Sequence, residues 1–201
     1  MQSDLFNDPN KNLLPFDGVT KYYGKFLSKE TSDRFFKLLL NEIDWKQEPI
    51  KIFGKAVMQP RLTALYGDQG KIYQYSGIQM IPILWTDFLL EIKEKVESLT
   101  NSGFTHVLLN QYRDGQDSMG WHRDNEISLG KKPTIASVSF GAVREFQMRL
   151  YKEKSNKIKI PLEHGSLLMM GEESQQYWEH QLPKTKKVNS TRINLTFRKI
   201  L

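Results

Sequence analysis

The segment GWHRDNE, residues 120–126, sets an imidazole and a carboxylate two positions apart. In an extended chain, residues i and i+2 leave the same side, so His122 and Asp124 share a face and Arg123 points away. A histidine from a neighbouring strand would complete a two-histidine, one-carboxylate set on one side of a metal ion. That arrangement leaves three positions open for a cosubstrate and O2. The chain has 4 histidines, so the third ligand is His106, His164 or His180. His106 precedes the pair, on a strand that also holds Asn110 and Tyr112. His164 precedes Gly165 in a turn. His180 lies in YWEHQLP, just ahead of the last strands, and is taken as the third ligand. The plainer alternative for the whole segment is a surface loop.

The C-terminal run RINLTFR adds a second chemical signal. Period-two alternation puts Arg192, Asn194, Thr196 and Arg198 on one face, and Ile193, Leu195 and Phe197 on the other. The apolar face reads as core. If the polar face also turned inward, it would bury two guanidiniums, which would need an anionic partner. A dicarboxylate fits, because each arginine can grip one carboxylate in a bidentate way. Six residues of flat strand span roughly 20 Å, so the two arginines reach one small diacid only if the strand curves.

Two apolar stripes at helical spacing could brace such strands. Ser28 is a candidate N-cap ahead of Phe35, Phe36, Leu39, Leu40 and Ile43. Pro82 suits the first turn of a second helix carrying Phe88, Leu89, Ile92, Val96 and Leu99, ended by Gly103. Residues 52–79 read as short strands and turns. After Gly103 the period changes to two in FTHVLLNQY, TIASVSF, REFQMRLY, GSLLMM and RINLTFR. Helices followed by many short strands predict an α+β fold, an antiparallel barrel or jelly roll packed on helices. The first ~20 residues are polar and read as a loosely tethered arm.

Bulk properties bound the rest. The 201 residues, 39% hydrophobic, suffice for one core and favour a single domain. The absence of cysteine excludes disulfides, zinc–thiolate sites and thiol catalysis. The net charge of +6 permits a polyanionic partner without requiring one. No basic stretch with an apolar run opens the chain, and no apolar run approaches ~18 residues. A cytoplasmic location and no membrane partner are therefore expected.

Taken together, NQY (110–112), HRD (122–124), SVSFGA (137–142), HGSLLMM (164–170), His180 in WEHQLP and RINLTFRKI (192–200) resemble the AlkB family of Fe(II)- and 2-oxoglutarate-dependent dioxygenases. The resemblance covers roughly residues 45–201. Order and spacing are most similar to the branch that holds the human nuclear DNA-repair homologue. It implies one dioxygenase domain over residues 1–201: an arm at 1–20, a nucleotide-recognition lid at 45–80 and a double-stranded β-helix, or jelly roll, at 104–201. It implies His122, Asp124 and His180 as iron ligands, with no further catalytic residue. Arg192 and Arg198 match the arginines that hold 2-oxoglutarate, with Asn110, Tyr112 and Asn194 as its other polar contacts. Tyr75 matches an aromatic that stacks on a flipped base, and Tyr73 and Arg61 fall near the damaged nucleotide. Glu126 matches an acid that reads an exocyclic amine, which a carboxylate can accept from and a carbonyl cannot supply.

The implied activity is oxidative demethylation of N1-methyladenine and N3-methylcytosine. It consumes O2 and 2-oxoglutarate and releases formaldehyde, succinate and CO2. The implied partner is DNA, single- or double-stranded, met by a monomer. Two other readings stay open: the same scaffold acting on RNA or on a substrate that is not a nucleic acid, and a nucleic-acid binding module without turnover. Phe53, between Lys51 and Lys55 and eight residues before Arg61, matches a wedge that fills the vacated base stack while the ammonium groups meet phosphates. Replacing Phe53 by Ala is expected to slow demethylation in duplex DNA more than in single strands. Equal losses on both would remove the wedge.

Overall fold

The computed structural model describes residues 8–52, 55–71, 73–75, 78–154 and 157–201. In chain order the elements are β1 (Val19–Tyr23), α1 (Lys29–Glu42), β2 (Pro49–Ile52), β3 (Lys55–Met58), β4 (Leu62–Gly67), β5 (Tyr73–Tyr75), β6 (Ile78–Met80), β7 (Ile83–Leu84), α2 (Asp87–Thr100), β8 (His106–Tyr112), β9 (Met119–His122), β10 (Ile135–Gly141), β11 (Arg144–Leu150), β12 (Ile158–Leu162), β13 (Ser166–Gly171), α3 (Ser174–Tyr177), β14 (Trp178–Leu182) and β15 (Arg192–Arg198). A seven-stranded sheet, ordered β1-β13-β10-β15-β8-β4-β7, faces a four-stranded sheet, ordered β12-β11-β14-β9, as the two halves of a jelly roll.

Period two sorts the large sheet into two cores. Val107, Leu109, Val138, Phe140, Ile193, Leu195 and Phe197 pack against Phe35, Leu39, Phe88, Leu89, Ile92 and Val96 of the two long helices. On the opposite face, Leu65, Leu108, Leu168 and Met170 meet Met148, Ile160, Leu162 and Trp178 between the sheets. The polar residues of β15 share this second, inter-sheet face.

Helix boundaries follow local chemistry. The Ser28 hydroxyl accepts from the Thr31 N–H and caps α1 as expected. The second helix starts later than expected. Thr86 caps it at Asp87, while Ile83–Leu84 pair in parallel with β4 and the Trp85 indole donates to Asp68 at 2.8 Å. It also ends earlier, at Asn101 in the left-handed region (φ 52°), rather than at Gly103. The stripes are narrower than read: Leu40 and Leu99 stay 40% and 43% exposed, one step round from the sheet.

Parts of the segments expected as arm and lid belong to the core sheet. From Asn12 onward the N-terminal stretch is tied down, through Asn12 Oδ1 to the N–H groups of Leu14 and Thr20, and through the Trp178 indole to the Phe16 carbonyl. Leu14 is buried, and β1 completes one edge of the large sheet on β13. Within residues 45–80, the β2–β3 and β5–β6 hairpins stand apart from both large sheets, whereas β4 belongs to the core sheet between β8 and β7. No helix among the described residues is long and apolar enough to cross a membrane.

Two loops that flank the inter-sheet space meet backbone to backbone. The Gly115 N–H donates to the Val188 carbonyl, and the Thr185 N–H donates to the Gly115 carbonyl, both at 2.8 Å. A Cβ at position 115 would sit 2.1 Å from the Thr185 carbonyl oxygen. Gly115→Ala is therefore expected to lose ~1–3 kcal/mol, as over-packed sites do. Scanning calorimetry should show a lower melting temperature, by about 2–4 °C per kcal/mol for a chain of this size. An unchanged melt would contradict the close approach.

Candidate metal and dicarboxylate site

His122 closes β9 and His180 sits at the centre of β14. They are register partners across the antiparallel pair, so both rings leave the same face. Their ring centroids are 4.2 Å apart at 67°. Asp124 follows two residues past the strand end. One candidate ligand atom from each of the three lies within 4.8 Å of the others, the one such group among the described residues. His122 Nε2 and Asp124 Oδ1 are 4.0 Å apart, too far for a hydrogen bond.

The surrounding contacts orient these atoms. A carbonyl can only accept, so the 2.8 Å contact of His122 Nδ1 with the Gly120 oxygen puts the proton on Nδ1 and a lone pair on Nε2. The Asp124 backbone N–H donates to Gln175 Oε1 at 2.9 Å, and Asp124 Oδ2 accepts from Arg198 Nη2 at 2.8 Å. Asp124 Oδ1 and His180 Nδ1 are buried without a hydrogen-bond partner among the described residues. Buried polar atoms left unmatched on two members of this cluster fit a cation, since they would otherwise carry a desolvation penalty.

Electrostatics set the protonation states that a divalent cation needs. Burial pushes His180 down to about 3, and the neighbouring His122 adds to the effect. Burial also lowers His122, which keeps 25% of its side-chain surface exposed. For Asp124, burial opposes ionisation, but the Arg198 guanidinium overcomes it and holds the carboxyl at about 2. At neutral pH the cluster is two neutral imidazoles and one carboxylate.

The other end of the same inter-sheet cavity, which these three residues line together with Asn110, Tyr112, Arg192, Asn194 and Arg198, is cationic. Arg192 is 2% exposed and donates to Ser139 Oγ at 2.9 Å. Its guanidinium carbon lies 5.3 Å from the Tyr112 ring centre. Burial pushes Arg192 down to about 10, and its Nε has no hydrogen-bond partner among the described residues. An anion between Tyr112 and Arg192 would supply the missing acceptor.

Not every predicted residue stands where its place in the sequence suggests. Arg198 is committed in part to Asp124 rather than wholly to an outside carboxylate. Asn194 donates to Ser137 Oγ and the Val138 carbonyl and accepts from Thr196 Oγ1, so it braces the cavity wall. Arg61 is 3% exposed, and its Nε donates to Asn110 Oδ1 at 2.7 Å. It is therefore buried beside Asn110 at the core sheet rather than displayed at the surface. Glu126 is half-buried and heads a short 3-10 turn, Ile127–Leu129. Tyr73 and Tyr75 pair with Met80 and Ile78 in the β5–β6 hairpin. Phe53 lies outside the described residues. The two rejected histidines are engaged elsewhere. His106 Nε2 contacts the Lys71 carbonyl at 2.9 Å. His164 Nδ1 accepts from the Gly141 N–H while its Nε2 faces Asp33.

Two site residues were not foreseen from the sequence. Arg144 is 2% exposed and donates to the carbonyls of Asp114, Asp117 and Pro183, with its guanidinium 5.9 Å from the Tyr112 ring centre. A signal existed: Arg144 shares the parity of Phe146 and Met148, so the period-two rule aims it inward. Gln175, which holds the Asp124 N–H, has no comparable signal.

The description "2OG-Fe(II) oxygenase superfamily" belongs to a family profile that matches residues 19–198. The human protein named DNA oxidative demethylase ALKBH2 is 40% identical over 204 residues, spanning 96% of this chain and 78% of that protein. The Bos taurus protein named alpha-ketoglutarate-dependent dioxygenase alkB homolog 3 is 40% identical over 184 residues, spanning 87% of this chain and 64% of that one. Among solved structures, OsALKBH1 superposes with a TM-score of 0.64 at 19% identity, covering 92% of this chain and 99% of that one. A Trichoplax adhaerens prolyl hydroxylase bound to a peptide fragment superposes with a TM-score of 0.63 at 13% identity, covering 90% and 83%. At such identities the two structures speak to the fold alone.

The depressed His180 makes the metal-free protein acid-sensitive. Its folded value, about 3, lies below the ordinary 6.5, so between the two the unfolded chain takes up a proton that the folded chain refuses. Stability therefore falls as pH drops below about 6.5. His180 alone accounts for about 1 kcal/mol between pH 6.5 and 5.5. Asp124 adds stability above its ordinary 3.8 that is lost as pH falls through about 2. Urea unfolding of the chelator-treated protein across this range should show the slope, and His180→Gln should flatten it. A flat wild-type profile would contradict the buried neutral imidazole.

Proposed function

We infer a DNA-directed oxidative demethylase from one premise: this chain belongs to the 2OG-Fe(II) oxygenase superfamily, within its AlkB family. It is an Fe(II)- and 2-oxoglutarate-dependent dioxygenase. The observation that carries the reading is one cavity with a largely buried His–Asp–His cluster at one end and the buried guanidinium of Arg192 at the other. His122, Asp124 and His180 would hold Fe(II), and Arg192 with Tyr112 would hold the far carboxylate of 2-oxoglutarate. When bound, the iron, the keto acid and O2 together supply the oxidising power that converts an N-methyl group into formaldehyde, with succinate and CO2 as the other products.

The chain supplies position, charge and recognition. Arg198 keeps the Asp124 carboxylate ionised and aimed. Ser139 and Tyr112 hold the Arg192 fork, so a dicarboxylate meets a guanidinium already in place. Phe146, tilted 5.3 Å from the His180 ring centre, walls the metal side with apolar surface. Glu126, two residues past Asp124, would read the exocyclic amino group of adenine or cytosine, since a carboxylate can accept from it. N1-methyladenine and N3-methylcytosine, which cannot pair and are therefore easily extruded, are the proposed substrates. The net charge of +6 favours approach to the phosphate backbone.

The test is a coupled assay with Fe(II), 2-oxoglutarate and oligonucleotides carrying either lesion in duplex DNA, single-stranded DNA and RNA. Equal amounts of formaldehyde and repaired base, lost on chelation and regained with Fe(II), are expected. Arg192→Met should raise the KM for 2-oxoglutarate on the order of 10–100-fold, since hydrogen bonds to a charged group contribute about 1.5–3 kcal/mol. Succinate formation without any repaired base in DNA would overturn the substrate, and no succinate at all would overturn the activity.

A further inference from the structure

The loop that carries Asp124 and Glu126 runs beyond the last ladder pair of β9, so the sheet does not hold it. Arg198 grips the Asp124 carboxylate and the Leu201 N–H donates to the Ser128 carbonyl, but the backbone around Asp124 is held from the other side by the four-residue helix α3 and the residue before it. Gln175, 1% exposed, accepts from the Asp124 backbone N–H at 2.9 Å, while its amide nitrogen faces Met170 Sδ at 3.5 Å. Arg123 Nη1 donates to the Gln176 carbonyl at 2.9 Å, with its guanidinium carbon 3.8 Å from the Tyr151 ring centre. Gln176 Nε2 donates to the Lys131 carbonyl at 2.7 Å, and Lys132 pairs with Glu173. Four contacts thus join residues 173–176 to residues 123–132.

The same turn leads directly into β14. The Tyr151 N–H donates to the Tyr177 carbonyl at 2.8 Å, Trp178 pairs with Leu150, and His180 follows in register with His122. One short element is therefore bonded to the loop of Asp124 on one side and delivers His180 on the other. A glutamine buried this completely must have its amide matched, and here the match is the N–H of a metal-ligand candidate.

We propose that α3 is a clamp that sets Asp124 against His180, with Gln175 and Arg123 as positioning residues for the metal. The proposal rests on the reading of His122, Asp124 and His180 as iron ligands. Removing the Gln175 acceptor leaves the Asp124 N–H buried and unmatched, and frees the loop to shift relative to β14. Groups that orient metal ligands typically change metal affinity by 10–100-fold. Arg123, which the HRD pattern turns away from the metal, acts through the same turn by holding the loop from its outer side.

The experiment titrates the full, chelator-treated chain with Co(II), in the presence of 2-oxoglutarate, and follows the visible absorption of the bound ion. Gln175→Met should weaken Co(II) binding about 10–100-fold and alter the shape of the absorption band. Circular dichroism confirms that equal folded fractions are compared. Arg123→Met, at a half-buried position, should weaken binding to a smaller degree, and its titration tests the clamp by itself if Gln175→Met does not fold. Wild-type affinity and band shape in the folded variants would overturn the clamp while leaving the site intact. A wild-type chain that binds no Co(II) would instead overturn the iron-site reading beneath it.

Discussion

The contact between Arg198 and Asp124 is the constraint around which the site is built. Arg198 ends β15 in the large sheet, and Asp124 follows β9 in the small one, so a single ion pair ties the two halves of the jelly roll at the metal. Both side chains are at most 5% exposed. Removing either charge would strand the other in a low-dielectric interior, which makes the pair mutually dependent. It also decides protonation: without the guanidinium, burial would favour a neutral carboxyl, a poor ligand for a divalent ion.

The pair is part of a wider imbalance of buried charge. Arg61, Arg144, Arg192 and Arg198 are all buried, against Asp117 and Asp124; Arg192 and Arg198 line the inter-sheet cavity, while Arg61 and Arg144 lie behind its Asn110 and Tyr112. Asp117 is engaged by Arg113, which reaches it with two side-chain bonds and one from the backbone. Carbonyls hold Arg144, a hydroxyl and a tyrosine hold Arg192, and an asparagine holds Arg61. Neutral partners satisfy donors without cancelling charge. The interior is thus built positive at the Tyr112 end, where a doubly charged keto acid would be drawn in and oriented.

The helices and the polar cavity explain each other. The large sheet can turn a polar face inward only because its other face gains an apolar partner elsewhere. Ile193, Leu195 and Phe197 find that partner in α1 and α2, leaving Arg192, Asn194, Thr196 and Arg198 for chemistry. One strand therefore contributes to the core and to the site through nothing more than side-chain alternation.

Much of this was legible in the residues themselves. Alternation in RINLTFR separated the two faces of β15, and the His-x-Asp spacing placed two side chains on one side of the chain, because both depend only on local backbone geometry. Parity would also have aimed Arg144 inward. What lay beyond reach depended on contacts distant in sequence. Nothing local decides that His180 pairs in register with His122 while His106 and His164 serve Lys71, Gly141 and Asp33. The start of α2 at Asp87 depended on a parallel pairing of β7 with β4 that the residues around Pro82 do not announce. The sequence alone determined which residue types were available and on which face of each strand they fall. Only the tertiary structure decided that Arg198 binds Asp124, that Arg61 is buried against Asn110 and that Gln175 anchors the metal-bearing loop. Those choices are made by packing two sheets face to face, which no window along the chain contains.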